Sequence, residues 1–326
     1  MTDVKAVRVH ETGGPEALVY ESVRLPDPGP GEVQVGHRAI GVNFIDTYHR
    51  SGLYPLELPS AIGMEASGVV EKVGDGVEAF RPGDRVAYGA GPPGGYAEAR
   101  NIGVERVVEL PDEIEHRQAA AIMLKGMTVE YLLRRTFEVE AGMDVLWQAA
   151  AGGVGLIACQ WLNEIGARVF GTVSTDEKAE RARGAGCDHP IKYTEQDFVE
   201  RVLELTDGEG VHVAYDGVGK STFRGSLDCL GRRGMLVSFG NASGAPEPIE
   251  PLELSRGGSL YLTRPSLMDY VATRAEMEES AGALFDVVRG GAVEPEVGQT
   301  WALEEASKAH RALENRETTG STILLP

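Results

Sequence analysis

The sequence predicts an α/β protein: a Rossmann-type, doubly wound parallel sheet joined to a second, mostly antiparallel β-domain. Three observations predict it. Up to about Pro111 the chain carries short β-branched runs cut by Gly and Pro turns, and from about Arg117 strands and helices alternate. An uncharged run at 145–162 (VLWQAAAGGVGLIACQWL) then divides into strand, tight turn and helix. Frequent turn signals favour antiparallel pairing, whereas alternation of strand with helix builds parallel βαβ units.

In chain order, early strands are expected at 4–9, 32–42, 68–73, 84–88 and 104–110. Pro28-Gly29-Pro30-Gly31, Gly74-Asp75-Gly76 and Pro82-Gly83 mark the turns between them. A helix is expected over 118–136, then the strand 144–149 and the helix 154–165, with Gly166 as its C-cap. Strand 168–173 runs into Ser174-x-x-Glu177, which reads as a capping box. Helix 195–205, strand 211–216, helix 221–230 and strand 235–239 continue the alternation, and a short strand follows at 259–263. The capping box Thr273-x-x-Glu276, a helix over 304–315 and a strand at 321–325 break the alternation, so the tail is expected to return to the first domain.

Composition excludes several function classes. The uncharged run approaches the roughly 20 residues of a membrane span, but it contains Gln148, Gln160 and three glycines and reads as a buried strand and helix. A formal net charge of −19 argues against a nucleic-acid or anionic-membrane surface, either of which calls for a basic patch. Cys159, Cys187 and Cys229 are odd in number and far apart, which offers neither a disulfide framework nor zinc spacing. With no apolar stretch behind MTDVKAVRVH, they read as reduced thiols of a cytoplasmic protein.

The chemistry starts at Ala149-Ala150-Ala151-Gly152-Gly153-Val154-Gly155. Ala-x-x-Gly-x-x-Gly between a buried strand and an apolar helix lets the backbone approach a pyrophosphate, whose charge then sits at the helix N-terminus. An acidic residue at the end of the second strand would hold the ribose 2′-hydroxyl of NAD; here the strand ends Thr172-Val173-Ser174-Thr175. Ser174, Lys178 and Tyr193 offer a hydroxyl, an ammonium and a phenol, a set suited to a 2′-phosphate, so the expected cofactor is NADPH. Asp176 and Glu177 lie close by and are read as partners of the helix dipole. Asn43, Tyr48 and Tyr54 place polar tips among apolar residues and can orient a planar substrate, although such groups are also ordinary satisfied core polars. The seven histidines are scattered and form no catalytic or metal constellation.

GVNFIDTY (41–48), SGLYP (51–55), LKGMT (124–128), AAAGGVGLIACQW (149–161), YDGVG (215–219), SFGNASG (238–244), SLYLTRPSL (259–267) and Arg316 closely resemble the NADPH quinone reductases. These are zinc-independent members of the medium-chain dehydrogenase/reductase superfamily, related to zeta-crystallin. The resemblance spans 14–326. It implies a GroES-like catalytic domain from 1–124 and 266–326, a Rossmann domain from 125–265, and an active site in the cleft. It also implies a homodimer in which the strand at 259–263 pairs across a two-fold axis.

The resemblance assigns the pyrophosphate to Gly152, Gly153 and Val154, and the 2′-phosphate to Ser174, Lys178, Tyr193 and Arg316. Nicotinamide contacts fall to Asn43, Thr128, Phe239, Asn241 and Pro265. Gly217 stands where some relatives carry serine. Zinc-dependent relatives place a Cys near Asn43 and a His in Gly-His-Glu; here the second motif is Gly63-Met64-Glu65, so no metal is expected, and Asp46 and Glu65 are read as structural hydrogen-bonding groups.

A ketone needs a Lewis acid or proton donor for its alkoxide, whereas a quinone gains aromaticity on accepting hydride. The expected activity is therefore reduction of a small quinone or other conjugated carbonyl, with Asn43, Tyr48 and Tyr54 as candidate donors to the developing oxyanion. The alternatives are an enoyl or alkenal reductase built from the same parts, and a cofactor-binding protein with a structural or RNA-binding role, which the acidity disfavours.

Overall fold

A computed structural model describes all 326 residues, Met1 to Pro326. By packing, the chain divides into two units. The first comprises Met1–Met127, Tyr270–Arg289 and Pro295–Pro326; the second comprises Thr128–Asp269 and Gly290–Glu294.

The second unit is built on a six-stranded, all-parallel sheet. Its spatial order is His189–Lys192, Arg168–Val173, Asp144–Trp147, Val211–Asp216, Leu230–Ser238, Tyr261–Thr263. This is the order 3-2-1-4-5-6 of dinucleotide-binding sheets, with the switch point between the strands Asp144–Trp147 and Val211–Asp216. Central strands of such a sheet are covered on both faces and read as unbroken apolar runs. Val145, Leu146 and Trp147 are buried accordingly, and Phe170, Ile191, Ala214 and Leu236 join Leu146 in one core cluster. Each large side chain so buried contributes about 2 kcal/mol. The helix Gly153–Ile165 follows the first strand and stops at Gly166, which takes the left-handed conformation expected of a C-cap.

The first unit holds a seven-stranded sheet and a three-stranded sheet. In the larger, Glu32–Val42 is central: it pairs with Glu65–Val73, with Ala99–Gly103 and, at its far end, with Ser321–Leu325. Val297–Ala302 lies outside Ser321–Leu325, parallel to it. The tail thus returns to the first sheet, as its broken alternation suggested. Val35, Ile40, Val70, Tyr88, Tyr96 and Leu324 form the core of this unit.

Several expectations need correction. Residues 104–110 are a 3-10 turn, Val104–Arg106, and a two-residue strand, Val108–Glu109. Helix 195–205 starts only at Phe198, because Asp197 is the residue whose carboxylate accepts the Val199 and Glu200 N–H groups. Strand 259–263 begins at Tyr261, since Ser259 takes a positive φ of 60°. Residues Gly290–Glu294 pack with the second unit although they lie in the tail. Gln160 explains this: its Oε1 accepts the Glu294 N–H at 2.6 Å. The strands Leu18–Leu25, Ser60–Ala61, Ala99–Gly103 and Val297–Ala302 went unread, and so did the helices Phe44–Ser51, Pro251–Arg256 and Leu267–Tyr270.

Candidate functional site

The dinucleotide turn leaves the strand Asp144–Trp147 at the switch point. Ala149 takes a left-handed φ of 58°, and Gly152 is extended and caps the 13-residue helix Gly153–Ile165. A Cβ on Gly155 would lie 2.4 Å from the Ala149 carbonyl oxygen and 2.6 Å from that of Ala150. Helix and strand therefore pack through backbone at this point. At Gly152 a built Cβ would meet one atom within 4 Å, the Ala149 carbonyl oxygen in a tight contact at 3.2 Å, and is otherwise open. Open backbone at the N-terminus of a long helix, with its first N–H groups outside the helical ladder, fits a pyrophosphate.

A polar network lies beneath the turn. Thr172 Oγ1 donates to Gln148 Oε1 at 2.6 Å and accepts the Ala149 N–H at 3.0 Å. Gln148 Nε2 donates to Ser226 Oγ, which donates to Asp216 Oδ2 at 2.8 Å. Asp216 also accepts from the Val218 and Gly219 N–H groups and from Thr222 Oγ1. Buried and fully partnered, this chain ties the turn to the ends of two neighbouring strands. Sequence reasoning missed it, because Gln148, Thr172, Asp216 and Ser226 lie far apart in the chain and each looks ordinary alone.

At the end of the second strand, the register Val173↔Lys192 brings Ser174 beside Tyr193 and Thr194. The Tyr193 N–H donates to the Val173 carbonyl, and Thr194 Oγ1 donates to the Ser174 carbonyl. The helix here is capped by Thr175 rather than Ser174: the Lys178 N–H donates to Thr175 Oγ1 at 3.2 Å, and Thr175 keeps the extended backbone of an N-cap. The correction leaves Ser174 outside the cap, at the strand end. Ser174, Lys178 and Tyr193 lie together on this unit, while Arg316 belongs to the first unit and takes a positive φ of 62°.

Phe239 and Asn241 both follow the fifth strand of the sheet, Leu230–Ser238. The Phe239 N–H donates to the Asp216 carbonyl, and the Phe239 ring meets Trp147 in a tilted contact with ring centres 5.6 Å apart. A Cβ on Gly217 would lie 2.9 Å from that ring, so glycine lets the ring pack against the backbone here. Arg264 donates to the Gly240 carbonyl at 3.1 Å, holding the segment before Pro265 against the loop that carries Asn241. These residues gather at the carboxyl ends of parallel strands, where ligands bind in such sheets. Thr128 lies on the helix His116–Tyr131 and is buried.

In the first unit, Asn43 precedes the helix Phe44–Ser51. Its N–H donates to Asp46 Oδ2 at 2.9 Å and its Nδ2 donates to Glu65 Oε2 at 2.8 Å. Glu65 also accepts from Lys125 Nζ at 3.1 Å and from the Leu124 N–H. One amide hydrogen of Asn43 is thus committed to structure, and both carboxylates serve as acceptors. Tyr48, on the same helix, meets Tyr54 edge to face with ring centres 5.2 Å apart, and the Tyr54 N–H donates to the Tyr48 carbonyl.

Behind Asp46 runs a buried chain that the sequence did not reveal. Arg50 is bidentate to Glu314 (2.6 and 3.0 Å) and donates to His310 Nδ1 at 3.2 Å. Arginine has no acceptor, so Nδ1 accepts, and the proton of a neutral His310 sits on Nε2. Nε2 donates to Tyr96 Oη at 2.9 Å, and Tyr96 donates to Asp46 Oδ2 at 3.0 Å. Burial, reinforced by the Arg50 charge, pushes the His310 pKa down to about 3. Burial pushes the Asp46 carboxyl up to about 7, against the lowering by the Asn43 N–H, Tyr96 and Lys125. Asp46 Oδ1 is buried without a partner.

The chain assembles no group of three or more His, Cys, Asp or Glu that could hold a metal ion, and no helix is long and apolar enough to cross a membrane.

Two family models match the chain: an alcohol dehydrogenase GroES-like domain over residues 29–112 and a zinc-binding dehydrogenase domain over residues 153–285. A quinone oxidoreductase of Pseudomonas aeruginosa is 51% identical over 323 residues, 99% of each chain. A 2-haloacrylate reductase of a Burkholderia species is 47% identical over 330 residues, again 99% of each. The crystal structure of Escherichia coli quinone oxidoreductase complexed with NADPH superimposes with a TM-score of 0.97 at 48% identity, covering 99% of this chain and 100% of that one.

Proposed function

The chain belongs to the quinone oxidoreductase family of medium-chain dehydrogenases/reductases, and from that premise we propose that it reduces small quinones with NADPH by metal-free hydride transfer. The observation that carries the reading is the open backbone at Gly152, at the head of a long helix on the switch point of a parallel sheet. NADPH supplies the hydride from nicotinamide C4. The protein's part is to bind and orient.

In this reading the N–H groups of Gly152, Gly153 and Val154 receive the pyrophosphate, and Ser174, Lys178, Tyr193 and Arg316 receive the 2′-phosphate. Thr128, Asn43, Phe239, Asn241 and Pro265 line the nicotinamide. Asn43, Tyr48 and Tyr54 donate to the oxygen on which charge develops, and water supplies the last proton. Donors fixed before the reaction stabilise such charge without reorganising. The Glu65 and Asp46 acceptors fix Asn43 in this way.

NADPH oxidation against a panel of quinones and enals, with NADH alongside, tests the reading. Turnover of 1,4-benzoquinone with NADPH preferred is expected, and an enzyme that ignores every quinone would overturn it. The relative named 2-haloacrylate reductase favours a second reading, reduction of an activated C=C bond. A higher kcat/KM on an α,β-unsaturated substrate than on any quinone would select it.

A homodimer formed by pairing of Tyr261–Thr263 is supported by its place at the sheet edge and by the exposure of Tyr261 (57%) and Leu252 (53%). Sedimentation of wild type against Leu262→Pro tests it, with a monomeric wild type as the refuting result. Cytoplasmic residence is supported by three buried, unpaired thiols.

A further inference from the structure

Asp176 and Glu177 are an apparent contradiction: two carboxylates beside a pocket read as a 2′-phosphate site. The structure places a cation against the first of them, Asp176, at the strand end. Lys192 is the last residue of the strand His189–Lys192, and the parallel register sets it opposite Val173, next to Ser174. Its Nζ lies 2.6 Å from Asp176 Oδ1 and 2.8 Å from Glu195 Oε2. Its side chain is 19% exposed, whereas that of Asp176 is 84% exposed. The cation is therefore anchored under two carboxylates that hang in solvent.

We propose that Lys192 is a specificity residue for NADPH over NADH that acts without touching the cofactor, by holding Asp176 in an ion pair and cancelling its charge beside the phosphate subsite. The inference rests on the assignment of Ser174, Lys178 and Tyr193 to the 2′-phosphate.

Charge counting supports it. Between Ser174 and Glu195, the groups beside the subsite are Lys178 and Lys192 against Asp176, Glu177 and Glu195. Glu180 is paired with Arg183, and Arg181 stands in the last turn of the helix, away from its N-terminus. Removing Lys192 leaves, on this unit, three carboxylates against Lys178 alone where a doubly charged phosphate must sit, with Arg316 of the first unit as the other cation assigned to it. Bonding to Asp176 and then to Glu195 also raises the Lys192 pKa, so the cation persists throughout the neutral range. The ion pair lies at the surface, so its field is screened by salt, and the effect is moderate and falls with ionic strength.

The test measures binding of adenosine 2′,5′-bisphosphate and of 5′-AMP by calorimetry, together with KM and kcat for NADPH and NADH. Lys192→Met is expected to weaken the bisphosphate by about three- to tenfold at low salt, from Coulomb energies of charges several ångströms apart in water. 5′-AMP binding, KM for NADH and both kcat values should stay as in wild type, and high salt should shrink the difference. Adding Asp176→Asn to Lys192→Met should restore bisphosphate binding, because the offending charge is then gone.

Equal weakening of both nucleotides, no weakening, or failure of Asp176→Asn to restore binding each overturns the proposal. If Lys192→Met does not fold, Asp176→Asn alone decides: a two- to threefold tightening of the bisphosphate is expected, and no change refutes it. Ser174→Asp with Lys178→Ala is the separate control for the subsite. If it leaves the NADPH preference unchanged, the subsite assignment fails. If it abolishes that preference while Lys192→Met does nothing, only the present proposal fails.

Discussion

Gly152 and Gly155 lie three residues apart in one turn, yet the structure gives them different tasks that two alanine substitutions separate. In Gly155→Ala the new methyl would sit 2.4, 2.6 and 2.7 Å from Ala149 O, Ala150 O and Ala150 C. Carbon–oxygen contacts relax at about 3.3 Å, so the helix must back away from the strand by about 0.8 Å. No side chain can rotate to relieve it, since all three atoms are backbone. Overpacking of this kind costs about 3 kcal/mol, which lowers the melting temperature of a unit this size by about 6–12 °C. In Gly152→Ala, φ is −78°, a value open to any residue, and the one near atom is 3.2 Å away. Its melting temperature should stay within about 2 °C of wild type. On the proposed pyrophosphate site the methyl would instead occupy the approach to the turn, so NADPH affinity should fall by about 30- to 100-fold, worth about 2–3 kcal/mol. Differential scanning calorimetry and quenching of protein fluorescence by NADPH read the two effects. A Gly155→Ala protein that melts like wild type, or a Gly152→Ala protein that binds NADPH like wild type, refutes the reasoning.

Buried titrating groups give a signed pH dependence. Burial holds His37 at about 4 and His310 at about 3, so between pH 4 and 6.5 the unfolded chain binds the two protons that the native state refuses. Their contribution is present above 6.5 and lost as pH falls. Asp46, raised to about 7, binds its proton in the native state over 3.8 to 7 and opposes one histidine there. Urea unfolding should therefore report stability falling on acidification between pH 6.5 and 4, with a slope steeper by about 1.4 kcal/mol per pH unit in Asp46→Asn than in wild type; equal slopes contradict the assignment. Glu314→Gln leaves the Arg50 guanidinium, 2% exposed, with His310 and the Gly13 carbonyl as partners. A loss of about 2 kcal/mol is expected in denaturant unfolding, less than for a wholly buried pair because Glu314 is one-third exposed. Tyr48→Phe with Tyr54→Phe should lower kcat for quinones about tenfold with KM for NADPH unchanged, and an unaltered rate removes both from the donor role.

The parallel sheet was legible because its signals are local. A strand, a glycine turn and an apolar helix follow one another within the run from Asp144 to Ile165, and observed bounds differ from expected ones by a residue or two. Asn43, Tyr48 and Tyr54 were readable as a polar group, but the helix that carries Tyr48 and is capped by Asn43 was not. Phe44–Ser51 is short, amphipathic and wedged between Gly- and Pro-rich turns. The capping box at Ser174 failed by one position for a physical reason: Ser174 and Thr175 offer equivalent hydroxyls, and tertiary pairing of Val173 with Lys192 decides which one ends the strand. What no local pattern can reveal is long-range polar satisfaction. Asp46 meets Tyr96, and Arg50 meets His310 and Glu314, across separations of up to 264 residues.

The pairing of Thr322, Ile323 and Leu324 with Val42, Gly41 and Ile40 bears on the order in which the molecule can be completed during synthesis. The ribosome delivers the first sheet's central strand almost at once and its partner last. Until the final residues emerge, the apolar far end of Glu32–Val42 has one unpaired flank, and Arg50 waits for His310 and Glu314. The strands of the second unit have all left the ribosome by Thr263, so that unit closes first, as a folded insertion between the two halves of an unfinished one. Loss of the last half-dozen residues therefore reopens one of the earliest-made strands of the chain, and an open flank of this kind templates aggregation.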